Sequence, residues 1–150
     1  FLNTGIRLAE LVGLDVADVD LDAKRITIRA KGGHVETRFV NSDLRSTLRK
    51  YLRRRADMPS HASALFLSNR NERISTRQVQ TRFEQWLAWA GIDRPGLTVH
   101  SLRHTFGTRL YRKTHDLIHV GKAMGHYTVE ATRVYVHEDS EALEEALESL

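Results

Sequence analysis

The sequence predicts a mainly α-helical α+β domain with one small antiparallel sheet, and three observations lead there. Apolar residues recur at helical spacing through much of the chain, as in Leu44, Leu48, Tyr51 and Leu52. One segment, RITIR at 25–29, alternates instead, as a half-buried strand does. Shortly after it come Gly32 and Gly33, where a hairpin turn demands the positive φ that glycine supplies. At 150 residues the chain is one domain by length and long enough to bury a core.

The elements follow in order. Ile6, Leu8 to Leu11 and Leu14 predict a short, largely buried helix that carries Arg7 and Glu10. Val19, Ile26, Ile28, Phe39 and Val40 mark short strands, and Lys31-Gly32-Gly33-His34 is the turn between two of them, so Lys31 stands at a hairpin tip. Asn41-Ser42 caps a helix that runs to about Arg55. Arg45, Arg49, Lys50, Arg53 and Arg54 fall mostly off its apolar stripe, and that basic run is read as a solvated face. Ser75 with Gln78 three residues on is a capping-box signal. The helix it opens runs to about Ala90 and is expected to bury Val79, Phe83, Trp86, Leu87 and Ala90, leaving Arg77, Gln78, Thr81 and Arg82 on its other side. Thr98 or His100 opens the next helix, to about Lys113, and Asp116 to Met124 forms a shorter one stopped by Gly125. Thr128 to Val136 is expected to be helical with Tyr135 near its end, and Ser140 to Leu150 forms an acidic helix with Leu143, Leu147 and Leu150 on one stripe.

Composition excludes several classes of function. The chain has no cysteine, which removes disulfides, thiolate nucleophiles and cysteine-ligated metal. No apolar run reaches the length of a membrane helix and no signal-peptide pattern opens the chain, so the expected setting is the cytoplasm, with no membrane partner. There is no GxxxxGK[ST] loop to cradle a nucleotide. His100 and His104 have a spacing that can chelate zinc, as do His115 and His119, but Ser101 stands where a zinc hydrolase needs glutamate and no third ligand has suitable spacing. Neither a metal nor another cofactor is expected. The charge is segregated: all 23 Lys and Arg and 13 of the 19 acids lie in residues 1–137, a net +10, while the last thirteen residues carry −6. A body at +10 suits a binder of the phosphate backbone, although a basic surface also serves solubility.

Six residues then carry chemistry: Arg7, Lys31, His100, Arg103, His126 and Tyr135. Planar guanidinium groups match the non-bridging oxygens of a phosphate, lysine and histidine move protons, and a tyrosine can attack phosphorus. That is the set needed to cut a phosphodiester without a metal. His100 and Arg103, three apart on one predicted helix, face the same way. The contexts TGIRLAEL, RAKGGHVETR, HSLRHTFGT, MGHYT and TRVYVH, in this order, resemble the catalytic domain of tyrosine recombinases of the phage-integrase and Xer type, from Thr4 to His137.

The resemblance implies roles. Arg7 and Arg103 would clamp the transition-state phosphate, Lys31 would protonate the departing 5′ oxygen, and His100 would assist proton removal from Tyr135. His126 would hydrogen-bond the same phosphate, and Glu10 would orient Arg7 or Lys31. Among the four tyrosines, Tyr51 falls on an apolar stripe, and Tyr111 lies two turns from Arg103. Tyr127 competes, but Tyr135 has the family context nine residues after His126. Arg and Gln near a helix start can read purine edges, and in the family the helix at this place enters the groove, so Arg77, Gln78 and Thr81 are the candidate DNA readers. The resemblance further implies double-stranded DNA as partner, a tetramer in the full enzyme, and a terminal helix that docks on a neighbouring protomer, with folding back on its own chain as the alternative. It also implies that the chain is a fragment, preceded by more catalytic domain and a separate DNA-clamping domain. Two other readings are a type IB topoisomerase, which rejoins the same strand, and a catalytically silent DNA-binding module.

Overall fold

Helix caps set most of the element boundaries. In this computed structural model, which describes residues 1–29, 33–60 and 62–125, α1 spans Leu8–Gly13, β1 Val19–Asp20, β2 Arg25–Arg29 and β3 Val35–Phe39. Helix α2 spans Ser42–Ala56, α3 Thr76–Trp89, α4 Val99–Thr114 and α5 Leu117–Met124. The strands pair antiparallel in the order β1-β2-β3. The mainly helical α+β class expected from the sequence is therefore observed. The chain divides into two compact units, Ile6–Ser101, and Phe1–Gly5 joined with the residues from Leu102 onward.

In the first unit the alternation of RITIR appears directly as burial. Ile26 and Ile28 are buried, whereas Arg25 and Arg29 are exposed. Arg38 lies opposite Ile26 and is itself buried, its Nη2 donating to Glu36 at 2.6 Å. Asn41 caps α2 by accepting from the Leu44 amide at 2.9 Å, and Leu48 is the buried centre of its stripe. Arg49, Lys50, Arg53 and Arg54 are exposed, as a solvated face requires. Arg55 is not: it is buried, donating to the carbonyls of Ala62 at 2.6 Å and of Ala64 at 3.0 Å and 3.1 Å.

That tether holds segment 62–68, for which no element was expected and which supplies Ala64, Leu65 and Leu67 to the core. The Leu65 amide donates to Leu14 at 2.8 Å, and the Tyr51 hydroxyl donates to the Leu65 carbonyl at 2.8 Å. Burial pushes the Tyr51 phenol up. Nearby, Asp15 accepts from Arg73 and from Ser63 at 2.9 Å, and the Arg73 bond, then the Ser63 bond, hold its carboxyl below the usual range.

Two burial expectations need correcting. No residue of α1 is fully buried; the deep positions are the flanking Ile6 and Leu14, because six residues make too short a helix to turn a whole stripe inward. Helix α3 begins as expected, with Ser75 and Gln78 exchanging bonds at 3.2 Å and 3.0 Å. Its inward stripe is Val79, Phe83 and Leu87, each half-buried, whereas Trp86 is 63% exposed, Trp89 is 81% exposed and Ala90 is exposed. By helical position Trp86 lies within about 60° of Phe83, at the margin of that row, so its exposure reflects the narrow surface that shelters this helix.

In the second unit, Phe106, Leu110 and Tyr111 of α4 pack on Val120 and Met124 of α5. Asp116 caps α5 by accepting from Ile118 at 2.7 Å and His119 at 3.1 Å, and Gly125 ends it at φ 62°, the left-handed position that glycine takes without strain. The helices expected at 128–136 and 140–150 lie outside the described residues. Among the described residues no helix is long and apolar enough to cross a membrane.

Candidate active site

Arg7 and Glu10 form one device at the start of α1. Arg7 is the N-cap, in extended backbone conformation, so its side chain leaves from the end of the helix. The Arg7 amide donates to Glu10 Oε2 at 2.8 Å, and Arg7 Nη1 donates to Glu10 Oε1 at 2.7 Å. The Glu10 side chain is 7% exposed and that of Arg7 is 38% exposed. A buried carboxylate thus grips both ends of a half-exposed arginine, backbone and guanidinium, which fixes where the cation points.

His100 sits in the first turn of α4 and is exposed. That turn is closed by Thr98 and Ser101: the Thr98 amide donates to Ser101 Oγ at 3.1 Å, and the His100 amide donates to Thr98 Oγ1 at 3.2 Å. Of the two starts the sequence allowed, Thr98 is therefore the capping residue, and the helical spacing of His100 and Arg103 is observed.

Within the second unit Arg103 is 4% exposed. Its Nη1 donates to the Gly5 carbonyl and its Nη2 to the Met124 carbonyl at 2.8 Å. Gly5 has φ 58°. Sequence reading missed both acceptors, since a backbone oxygen leaves no side-chain signature; the only signal was a glycine two residues before Arg7. Lys31, His126 and Tyr135 lie outside the described residues.

On α3, Arg77 and Gln78 are exposed and Thr81 is half-buried. Gln78 gives its amide oxygen to the Ser75 N–H, so a bidentate contact to a base would first have to open that bond. Arg82 is engaged within the unit, its Nη2 donating to Asn69 at 2.8 Å. Among the described residues no three His, Asp or Glu side chains gather as metal ligands. His119 pairs with Asp116 at 2.5 Å, and the His115 ring meets Tyr111 edge-on at 6.0 Å.

A model of the phage integrase family matches residues 1–142. The chain belongs to the phage integrase family. Similar members include tyrosine recombinase XerC of Shewanella amazonensis, 34% identical over 143 residues, 95% of this chain and 48% of that protein. Tyrosine recombinase XerC of Corynebacterium glutamicum is 35% identical over 143 residues, 95% of this chain and 46% of that one. This phage integrase family chain thus spans about half the length of the relatives it matches. Among solved structures, XerA recombinase superposes with a TM-score of 0.87 at 32% identity, covering 99% of this chain and 54% of that one. XerH site-specific recombinase bound to palindromic difH substrate, in a post-cleavage complex, superposes at 0.83 and 32% identity, covering 97% and 42%.

Proposed function

We propose that this chain is the catalytic domain of a site-specific DNA recombinase that cuts and rejoins double-stranded DNA through a 3′-phosphotyrosyl link, using neither metal nor ATP. One observation carries the reading: two arginines far apart in sequence are each held by fixed protein oxygens, Arg7 by Glu10 and Arg103 by two carbonyls, in a chain that matches its family over residues 1–142. Arginines held in this way need no reorganisation when charge builds on a phosphate.

In this mechanism the Tyr135 oxygen attacks phosphorus and loses its proton with help from His100. The P–O5′ bond breaks, Lys31 delivers a proton to the departing 5′ oxygen, and Arg7, Arg103 and His126 neutralise the pentacoordinate phosphate. One phosphodiester is exchanged for another, so the bond energy is kept for rejoining. Arg77, Gln78 and Thr81 face the DNA groove, an N-terminal domain in the longer protein clamps the duplex, and the acidic terminal segment docks on a neighbouring protomer in a tetramer.

The test uses the full-length enzyme and a nicked suicide substrate carrying its own site, from which the freed strand diffuses away. A protein–DNA band that survives denaturant, vanishes with protease and forms equally in EDTA is expected. Tyr135→Phe should abolish it and leave DNA binding intact, because only the nucleophilic oxygen is lost. Its persistence in Tyr135→Phe with loss in Tyr127→Phe would assign the nucleophile to Tyr127. Joining of two different duplexes supports a recombinase, whereas relaxation of supercoils without joining supports a topoisomerase.

A further inference from the structure

The two oxygens that hold Arg103 come from opposite ends of the described chain, and each lies beside another residue of the proposed site. Gly5 precedes Arg7 by two residues and Met124 precedes His126 by two. At least two of the five guanidinium N–H groups are committed to protein oxygens, which fixes the plane of a side chain already 4% exposed. A carbonyl is aimed only by its own backbone. The Gly5 backbone is at φ 58°, a left-handed conformation that residues with a Cβ rarely adopt.

Space imposes the same demand independently. A Cβ on Gly5 would lie 2.5 Å from Cδ1 and 2.9 Å from Cε1 of Phe106. The Phe106 ring is partly buried and packs against the cluster of Val120 and Met124, alongside Leu110 and Tyr111, so its retreat would disturb that packing. The ring that walls Gly5 therefore also packs against Met124, the residue that supplies the second carbonyl.

We infer that Gly5 is a positioning residue for Arg103: its bare, left-handed backbone, seated on Phe106, aims the carbonyl that sets the guanidinium for the phosphate. This rests on the reading of Arg103 as a phosphate clamp. The geometry of the clamp is then encoded at Gly5 and Phe106, outside the six chemical residues. It also predicts a specific form of damage: an alanine at Gly5 should impair neutralisation of the phosphate rather than binding of the duplex.

The experiment measures single-turnover cleavage by the full-length enzyme on two nicked substrates. One has the ordinary phosphate at the cut, and the other has a methylphosphonate, which lacks one negative charge for an arginine to neutralise. Gly5→Ala should slow cleavage of the phosphate about 10²-fold, the scale expected when a positioned group moves by about 1 Å. DNA affinity should change less than about threefold, since phosphate contacts elsewhere dominate binding. On the methylphosphonate the defect should shrink at least about tenfold, as it should for Arg103→Ala, because the missing charge needs no clamp. Phe106→Leu in the Gly5→Ala background relieves the clash and should recover part of the rate. Should Gly5→Ala alone fail to fold by circular dichroism, this double variant carries the same comparison of substrates. Normal cleavage by Gly5→Ala, or an equal defect on both substrates while Arg103→Ala is rescued, would overturn the inference. An Arg103→Ala enzyme that cleaves normally, or is not rescued, would instead overturn the clamp reading itself.

Discussion

Glu10 offers the sharpest prediction about the site, because its carboxylate makes two different bonds to one residue. In Glu10→Gln one oxygen remains for either the Arg7 amide or Nη1, now at 2.8 Å and 2.7 Å, and the other contact sets an NH₂ group against a donor. The variant therefore loses at least one charge-assisted bond, a class worth about 1.5–3 kcal/mol. The Arg7 side chain is 38% exposed, so water recovers part of that loss and about 1.5 kcal/mol is the expected fall in stability. The functional cost should be larger than the stability cost, since an arginine held less firmly presents a less precisely placed charge to the phosphate. Loss of one positioned donor costs about 10²–10³-fold in rate, and a misaimed one should approach the lower figure. Urea unfolding and single-turnover cleavage of the suicide substrate give the two numbers. A double-mutant cycle supplies the decisive comparison: if Glu10 acts only through Arg7, then Glu10→Gln should cost almost nothing further in an Arg7→Ala enzyme. Additive effects in that cycle, or wild-type cleavage by Glu10→Gln, would refute the orienting role.

Three further outcomes follow from other parts of the molecule. Arg55→Ala removes three bonds to the carbonyls of Ala62 and Ala64 and leaves both under-satisfied, so urea unfolding should show a loss of about 2–4 kcal/mol. Asp15 is held below the usual carboxylate range by Arg73 and then Ser63, so the unfolded chain binds the extra proton as pH falls. Its contribution should be complete above about pH 4 and lost as pH drops through the lower folded value, and an Asp15→Asn variant with an unchanged acid limb would contradict this. Arg77→Ala should narrow discrimination between cognate and random duplex more than it weakens non-specific binding, while the +10 body makes affinity fall steeply with salt. Titrations at two salt concentrations check both, and salt-independent binding would remove the electrostatic account.

Local chemistry made much of this fold legible. Asn41, Ser75 with Gln78, and Asp116 with Gly125 each satisfy backbone groups within a turn of themselves, so their signal is complete in a few residues and the observed caps match it. The alternation of Ile26 and Ile28 is equally local. What escaped depends on partners distant in sequence. Segment 62–68 is tied down by Arg55, Tyr51 and Leu14, and its unbroken run of apolar and small residues shows no period. Trp86 sits close enough to the apolar stripe of α3 to be counted on it, yet is 63% exposed, because periodicity gives a direction and not the width of the sheltering surface. For the candidate site, residue types and family context pointed to Arg7, Glu10, His100 and Arg103, which remain proposals, whereas the carbonyls of Gly5 and Met124 that hold Arg103 are invisible in any reading of side chains.

Helix α3 also gives the chain an optical property. Its only two tryptophans, Trp86 and Trp89, lie three residues apart on that helix, both largely open to water. Every photon of indole emission therefore originates from one turn of one helix, about two to three turns from Arg77 and Gln78. In the unliganded chain the spectrum should be red-shifted and open to collisional quenchers such as iodide. A blue shift or loss of quenching on adding DNA or a second protein would report coverage of α3 alone, with no label attached. Silence under saturating DNA would mean that this end of the helix stays in solvent while the rest of the chain is engaged.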